Sequence, residues 1–257
     1  MLYDLGLVST PEPFQRLVNQ GMILGEDNNK MSKSRGNVVN PDEIIERYGA
    51  DSMRLYEMFM GPLEAVKPWK TQGVEGVRRF LDRVWRLIVN QDGELKVSDE
   101  APSEELLRAL HKTIQKVGDD IDTLRMNTAI ASMMELSNLM VKQKVSPRAI
   151  LEPFIQLLAP FAPHIAEELW SRLGHEGSIG AVPWPAFDEA LLVESTVTYP
   201  IQVNGKLRAQ LEVSADEEKD AVLAAAKALP KIQRYLEEGT LRREIFVPGK
   251  MVNLVIK

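Results

Sequence analysis

Apolar residues recur with a helical period between Thr71 and Leu173, and this pattern constrains the fold more than any other feature. In the first helical stretch the apolar positions are Val74, Val77, Phe80, Leu81, Val84, Trp85 and Ile88. Further helices are predicted at 103–124, 127–143 and 146–173, and prolines must kink or break the last of them. Because short links join these segments, we expect four amphipathic helices packed as an antiparallel bundle.

The segment before the bundle combines strand, loop and helix signals. An apolar run that ends at Leu24 is predicted to be the end of a strand that leads into a loop. Asn40 and Pro41 then open a helix, with Asn40 as its cap and Pro41 in the first turn. This helix is predicted to stop at Gly49, and a second begins at Ala50.

The composition changes again after the bundle. Two β-type runs flank Asn204-Gly205, a dipeptide that strongly favours a tight hairpin turn. Two helices are predicted to follow at 216–229 and 230–236, and then two strands at 241–247 and 251–256. The chain is therefore predicted to be mainly α with a small α+β domain. The expected domains are 1–70, 71–194 and 195–257.

Composition and charge exclude several classes of protein. There is no cysteine, and the three histidines are scattered, so neither a disulfide framework nor a metal site is expected. No apolar run approaches the ~20 residues needed to cross a bilayer, and a cytoplasmic protein is expected. The net charge of −6 disfavours nucleic-acid binding by bulk electrostatics. However, two segments are locally basic: residues 67–90 carry six Lys and Arg against two acidic residues, and residues 227–257 carry seven against three. Such segments can still present positive charge to a polyanion.

One loop concentrates positive charge just before a helix. Its sequence, NKMSKSRGNVVNP, holds Lys30, Lys33 and Arg35 among serines and ends at Pro41. Ammonium groups neutralise phosphate oxygens, hydroxyl groups and backbone N–H groups add donors, and Gly36 permits a sharp turn. Such a loop could stabilise the charge that builds on a departing pyrophosphate. The alternative is a solvated surface loop whose positive charges have no function.

The string Lys30-Met31-Ser32-Lys33-Ser34, or KMSKS, resembles the signature loop of the class I aminoacyl-tRNA synthetases. The strings YGADSMRLYEMFMGPLE, GVEGVRRFLDRVWRL, LLAPFAPHIAEELWSRLG and VNGKLR extend the resemblance over essentially the whole chain, towards the bacterial leucyl enzymes. It implies the end of a Rossmann-type catalytic domain, a helix bundle of the class I anticodon-binding type and a C-terminal α+β domain.

The resemblance also implies a reaction and its binding residues. Enzymes of this kind activate leucine with ATP, together with Mg²⁺, and transfer it to tRNA(Leu). The resemblance implies that Lys33 is the main contact to the ATP phosphates and Lys30 the next one. It also implies that these two lysines are the catalytic residues of this loop. The rest of the phosphate loop is Met31, Ser32 and Ser34. The implied tRNA contacts are Arg79, Arg83 and Arg86 in the bundle and Lys206, Arg208 and Lys250 in the small domain. A monomer without membrane contact is expected.

The sequence also departs from the pattern of these enzymes. It contains no HIGH-type histidine motif, which leads to the expectation of a C-terminal fragment that is inactive alone. A non-catalytic tRNA-binding module remains an alternative, and a helical scaffold without RNA is a third. Structural roles are expected for His164, as a buried histidine that meets a carbonyl, and for Trp170 in the core. Trp184, between two prolines, is expected to pack on the bundle.

Overall fold

The computed structural model describes residues 1–14, 16–193, 196–214 and 217–257. The chain divides into two compact units, Met1–Leu191 (unit 1) and Leu192–Lys257 (unit 2). The predicted domain boundary at 194 and 195 lies outside the described residues, as does the predicted helix start at Asp216. The three-way division of the chain stays a prediction.

Unit 1 is mainly helical and holds one small parallel sheet. Its strands are β1 (Ile23–Leu24) and β2 (Lys67–Pro68), paired in parallel. Its helices are α1 (Pro41–Tyr48), α2 (Ala50–Phe59), α3 (Thr71–Ile88), α4 (Glu104–Asp122), α5 (Met126–Gln143), α6 (Arg148–Leu158) and α7 (Pro163–Arg172). Three-residue 3-10 turns occur at Lys33–Arg35, Ile179–Ala181 and Glu189–Leu191.

Local signals at the helix ends are confirmed. The Asn40 side chain accepts a hydrogen bond from the backbone N–H of Asp42, 3.1 Å away, and so caps α1. Gly49 ends α1 at a φ of 88°, which glycine adopts without a steric penalty. The Ser103 hydroxyl accepts from the N–H of Leu106 and caps α4 at 3.2 Å.

The predicted helix at 146–173 is two helices, so five helices stand where four were expected. Helix α6 ends at Leu158, and the next helix begins at Pro163, which occupies the first turn of α7. A proline is accepted there because the first N–H groups of a helix have no intrahelical partner. Pro153, by contrast, lies inside α6 without ending it.

Residues before and after Thr71 share one hydrophobic core in unit 1. Leu55 of α2, Val77 of α3, Ile130 of α5 and Phe154 of α6 are all fully buried in the same cluster. The cluster also includes Ile44 and Tyr48 of α1. The helices that follow the lysine-containing loop therefore pack into the same core as the bundle helices.

Unit 2 is a four-stranded sheet with two helices. Its strands are β3 (Thr196–Val203), β4 (Lys206–Ser214), β5 (Leu241–Val247) and β6 (Met251–Ile256), in the order β4-β3-β6-β5. The β3–β4 and β5–β6 pairs are antiparallel hairpins, whereas β3 and β6 run parallel. The helices are α8 (Lys219–Ala228) and α9 (Pro230–Glu238), and their apolar residues join those of the sheet in one core.

The hairpin turn between β3 and β4 has the predicted geometry. Asn204 and Gly205 have φ values of 50° and 77°, as a type I′ turn requires. The Asn204 side chain also bonds to both backbone groups of Ile256, at 2.9 Å each, so the turn is tied to β6.

We expect Gly205→Ala to destabilise unit 2 by roughly 1 kcal/mol, because a Cβ raises the free energy of left-handed backbone. Nothing lies within 4 Å of a Cβ at this site, so the cost is conformational rather than steric. Amide hydrogen exchange of β3 and β4 would measure it. Gly76→Ala, inside α3, is the control and is expected to leave unit 2 unchanged. Equal protection of β3 and β4 in the wild type and Gly205→Ala would contradict the prediction.

Candidate functional site

A tight turn connects β1 to the lysine-containing loop. The N–H of Gly25 donates to the carbonyl of Asn29 at 2.8 Å, and Asn28 adopts a left-handed φ of 60°. Leu24 and Lys30 form an antiparallel bridge, so the chain folds back on β1 before the loop begins. The start of the loop is therefore fixed by backbone hydrogen bonds to the sheet.

Asn37 joins the two ends of the loop. Its Oδ1 accepts from the N–H of Ser32 at 2.8 Å, and its Nδ2 donates to the carbonyl of Lys30 at 3.3 Å. The same Nδ2 lies 3.1 Å from Oδ1 of Asp27. This bond and one from the Asn29 backbone hold the pKa of Asp27 below its usual value. Gly25 leaves the required space, because a Cβ there would lie 2.7 Å from the Asp27 carboxylate.

The predicted phosphate residues share this one loop. Met31 packs against the core of unit 1, and the hydroxyl oxygens of Ser32 and Ser34 lie 2.7 Å apart. Lys33 begins a 3-10 turn that Gly36 ends at a φ of 68°. Lys30 and Lys33 are exposed, and neither forms an ion pair within the described part of the chain. Two unneutralised ammonium groups are thus available to an anionic ligand.

A second contact ties this region to α3. One oxygen of the Glu26 carboxylate accepts from the N–H of Thr71 at 3.0 Å and from its hydroxyl at 2.8 Å. The bond from the backbone N–H of Thr71 is the main reason why the pKa of Glu26 lies below its usual value. Sequence reasoning missed Glu26, because its partner lies far along the chain and no local pattern links the two.

Lys67 is one of the six basic residues in the segment 67–90, but it does not contribute to a basic surface. Only 9% of the residue is exposed, and Nζ donates to the carbonyl of Pro62 at 2.8 Å and to that of Gly61 at 3.2 Å. Burial lowers the pKa of this lysine. It fastens the link between α2 and β2, and it is enclosed by backbone rather than facing solvent.

Three arginines at helical spacing lie along α3. Arg79 and Arg86 are exposed, and Arg83 is half-buried with a hydrogen bond to Oδ1 of Asn138. Arg83 and Arg86 also line an open cavity of about 610 Å³, together with Lys96 and Lys144. Arg78, by contrast, is engaged by Asp82 at 2.9 Å and by the carbonyl of Tyr48 at 3.0 Å.

The basic residues predicted in unit 2 lie at two turns. Lys206 and Arg208 are exposed on β4, just after the Asn204-Gly205 turn. The Arg208 guanidinium lies over the ring of Tyr235, 5.0 Å from its centroid, in a cation–π arrangement. Lys250 is exposed in the turn between β5 and β6.

The prediction that His164 is buried against a carbonyl is wrong. Its side chain is 72% exposed, and Nδ1 lies 2.8 Å from the carboxylate of Asp51. Asp51 is the buried partner, since it also accepts the N–H of Ile165 at 2.7 Å and so caps α7. His164 stands in the first turn of α7, where the side chain can reach this capping carboxylate from the solvent side.

The two tryptophans predicted to be structural differ in exposure. Trp170 is buried, as expected, and stacks on the ring of His175 with centroids 3.7 Å apart. Trp184 is 44% exposed, and its Nε1 lies 3.6 Å from the position of a Cβ at Gly118, on α4. Trp184 therefore lies against the bundle while part of its ring faces solvent.

Among the described residues, no three His, Asp or Glu side chains are grouped so that they could hold a metal ion. None of the described helices is both long and apolar enough to cross a membrane.

Two families match different parts of the chain. Residues 5–67, which include the lysine-containing loop, match the family described as tRNA synthetases class I (I, L, M and V). Residues 103–223 match the anticodon-binding domain of tRNA ligase. The first match covers β1, the loop, α1 and α2, and the second covers α4–α7 and continues into α8.

Curated relatives and a solved structure extend the similarity to the whole chain. Leucine–tRNA ligases of Chloroherpeton thalassium and Chlorobaculum parvum are each 52% identical to it over its full length. The chain spans only 32% of the length of each relative. It also resembles the LeuRS of Agrobacterium radiobacter K84, solved as a ternary LeuRS–tRNA–LeuAMS complex. The identity is 34% and the TM-score 0.73, over the whole chain and 35% of that structure. Over its full length the chain is therefore similar to about a third of a leucine–tRNA ligase, and residues 5–67 and 103–223 match domains of tRNA synthetases.

Proposed function

We propose that this chain supplies the ATP-phosphate loop and the tRNA-binding surfaces of a leucine–tRNA ligase. The whole protein activates leucine with ATP and transfers it to tRNA(Leu), as a cytoplasmic monomer. The observation that carries the proposal is the KMSKS loop, which holds Lys30 and Lys33 exposed and unneutralised within the region matched to class I synthetases. The 52% identity to leucine–tRNA ligases supports leucine as the amino acid.

The loop suits the first half of this reaction. The leucine carboxylate attacks the α-phosphorus of ATP, and the bond from the α-phosphorus to the oxygen that bridges it to the β-phosphorus breaks. Negative charge therefore develops on pyrophosphate, and the ammonium groups of Lys33 and Lys30 stabilise it. The hydroxyls of Ser32 and Ser34 add hydrogen-bond donors beside them.

Two surfaces suit the second substrate, the tRNA. Arg79 and Arg86 on α3 are exposed cations that are not ion-paired to any described residue, and Arg83 lies between them in sequence. Lys206, Arg208 and Lys250 provide a separate set in unit 2. Contacts of this kind are made to phosphates and position the RNA without reading its sequence.

The test of the proposed function is amino-acid-dependent exchange of pyrophosphate into ATP, measured on the full-length protein that contains this chain. We expect exchange with leucine to exceed exchange with isoleucine and valine at equal concentrations, and tRNA(Leu) to be charged. Binding of tRNA without exchange for any of the three amino acids would instead support the non-catalytic binding module. Faster exchange with isoleucine or valine would reject leucine as the substrate.

We expect Arg79→Ala and Arg86→Ala each to weaken tRNA binding by roughly 3- to 10-fold at low salt in the full-length protein. Each loss of a phosphate contact should also make the salt dependence shallower by about 0.7 to 0.9 in the log–log slope. Filter binding over a salt series measures both quantities. Lys142→Ala, which removes an exposed cation from α5, is the control and should change neither. An unchanged slope for both arginine variants would remove α3 from the tRNA surface.

A further inference from the structure

We infer that Asn37 and Asp27 are positioning residues for the phosphate loop, an inference that rests on the proposed function. Neither residue is a cation that could neutralise the phosphates directly, and neither was identified from the sequence. Both are placed where they determine the backbone conformation of the residues that do.

Asn37 holds the peptide groups on both sides of Met31. Its Oδ1 accepts from the N–H of Ser32 at 2.8 Å, and its Nδ2 donates to the carbonyl of Lys30 at 3.3 Å. One amide group therefore fixes the backbone at the two residues adjacent to Met31. The Met31 side chain packs against the core of unit 1, so this part of the loop is held from both sides.

Asp27 connects this amide to the sheet. Its carboxylate lies 3.1 and 3.2 Å from Nδ2 of Asn37 and accepts the backbone N–H of Asn29 at 3.1 Å. Asn29 in turn bonds to Gly25, directly after β1. A continuous series of hydrogen bonds thus runs from the strand to the peptides beside Lys30 and Ser32.

The arrangement also orients the amide of Asn37. The carboxylate of Asp27 can only accept, so it faces the NH₂ group and directs Oδ1 towards the N–H of Ser32. Asn37→Asp keeps the acceptor for Ser32 but places two carboxylates against each other. The repulsion should open the loop and move Lys30 and Lys33 away from the phosphates.

The test uses a charge exchange in the full-length protein. Asn37→Asp should lower kcat for leucine-dependent pyrophosphate exchange by roughly 10- to 100-fold through misplacement of the loop. The KM for leucine should stay within about twofold, because this loop is proposed to contact the ATP phosphates and not the amino acid. The double variant Asp27→Asn with Asn37→Asp restores one donor and one acceptor between the two side chains. It should regain part of the lost rate, because the bond to the carbonyl of Lys30 is not restored.

Two outcomes would overturn the inference: an unchanged kcat in Asn37→Asp, or a double variant no faster than Asn37→Asp. A purely structural role would lower the amount of folded protein in each variant without this reciprocal rescue of kcat. The proposed function is tested separately. It fails if the wild type shows no leucine-dependent exchange, whereas the positioning role alone fails if the wild type is active and Asn37→Asp matches it.

Discussion

Lys33→Ala is expected to lower kcat for leucine activation by roughly 100- to 1,000-fold in the full-length protein, because losing one group that stabilises charge in a transition state typically has an effect of this size. Lys33 opens the 3-10 turn at the exposed part of the loop, and no described acidic side chain neutralises it. Its positive charge should therefore stabilise the negative charge that develops on pyrophosphate in the transition state, rather than the binding of leucine. The KM for leucine should change little.

Rapid-quench measurement of adenylate formation distinguishes this effect from slower product release. Arg35→Ala is the matched control, because it removes an exposed cation from the same turn and the same net charge from the chain. We expect Arg35→Ala to keep kcat within about threefold, since only a correctly placed charge stabilises the transition state. Equal loss in both variants would indicate a general electrostatic effect. An unchanged rate in Lys33→Ala would reject the proposed role of this lysine.

Much of the fold is readable from the sequence because its boundaries depend on neighbouring residues. Asn40-Pro41 and Gly49 bound α1, Ser103 begins α4, and Asn204-Gly205 forms the turn between β3 and β4. Each of these signals acts within four residues of its own position, through a cap, a proline or a left-handed backbone. The predicted ATP-contacting residues likewise share a single loop, so their proximity required no knowledge of tertiary contacts.

Contacts between distant residues could not be predicted. Glu26 caps α3 at Thr71, Asp27 orients Asn37, and Asp51 caps α7. An acidic residue has no local pattern that reveals a partner on another element. The same limit explains the errors at His164, which pairs with Asp51 at the surface, and at Lys67, which is buried by the turn after α2.

Asp120 is another such residue, and it joins α4 to α5. Its side chain has no exposed surface, and one carboxylate oxygen accepts from Nε of Arg125 at 2.8 Å. The other accepts from the hydroxyl of Thr128 at 2.6 Å and from Nζ of Lys116. The carbonyl of Asp120 also accepts the N–H of Arg125 at 2.7 Å. A single buried carboxylate thus connects the last turn of one helix with the first turn of the next.

We expect Asp120→Asn to lower the free energy of unfolding of unit 1 by roughly 2 to 4 kcal/mol, because it breaks a buried charged network and leaves amide hydrogens without acceptors. All four tryptophans lie in unit 1, at positions 69, 85, 170 and 184, so their fluorescence during urea unfolding reports on this unit. Asp119→Asn, at the exposed neighbouring position, is the control and should cost less than about 0.5 kcal/mol.

The pH dependence of this difference identifies the charge as its source. Burial raises the pKa of Asp120, but bonds from Lys116, Thr128 and Arg125 outweigh that effect and leave the pKa below its ordinary value. A carboxyl group with a lowered pKa in the folded state stabilises the protein above the unfolded pKa of about 3.9, and this contribution is lost as pH falls through the folded value. The stability gap between wild type and Asp120→Asn should therefore be full at pH 7 and shrink below about pH 4. A gap that stays constant down to pH 3, or one no larger than that of Asp119→Asn, would show that the charge of Asp120 does not hold α4 and α5 together.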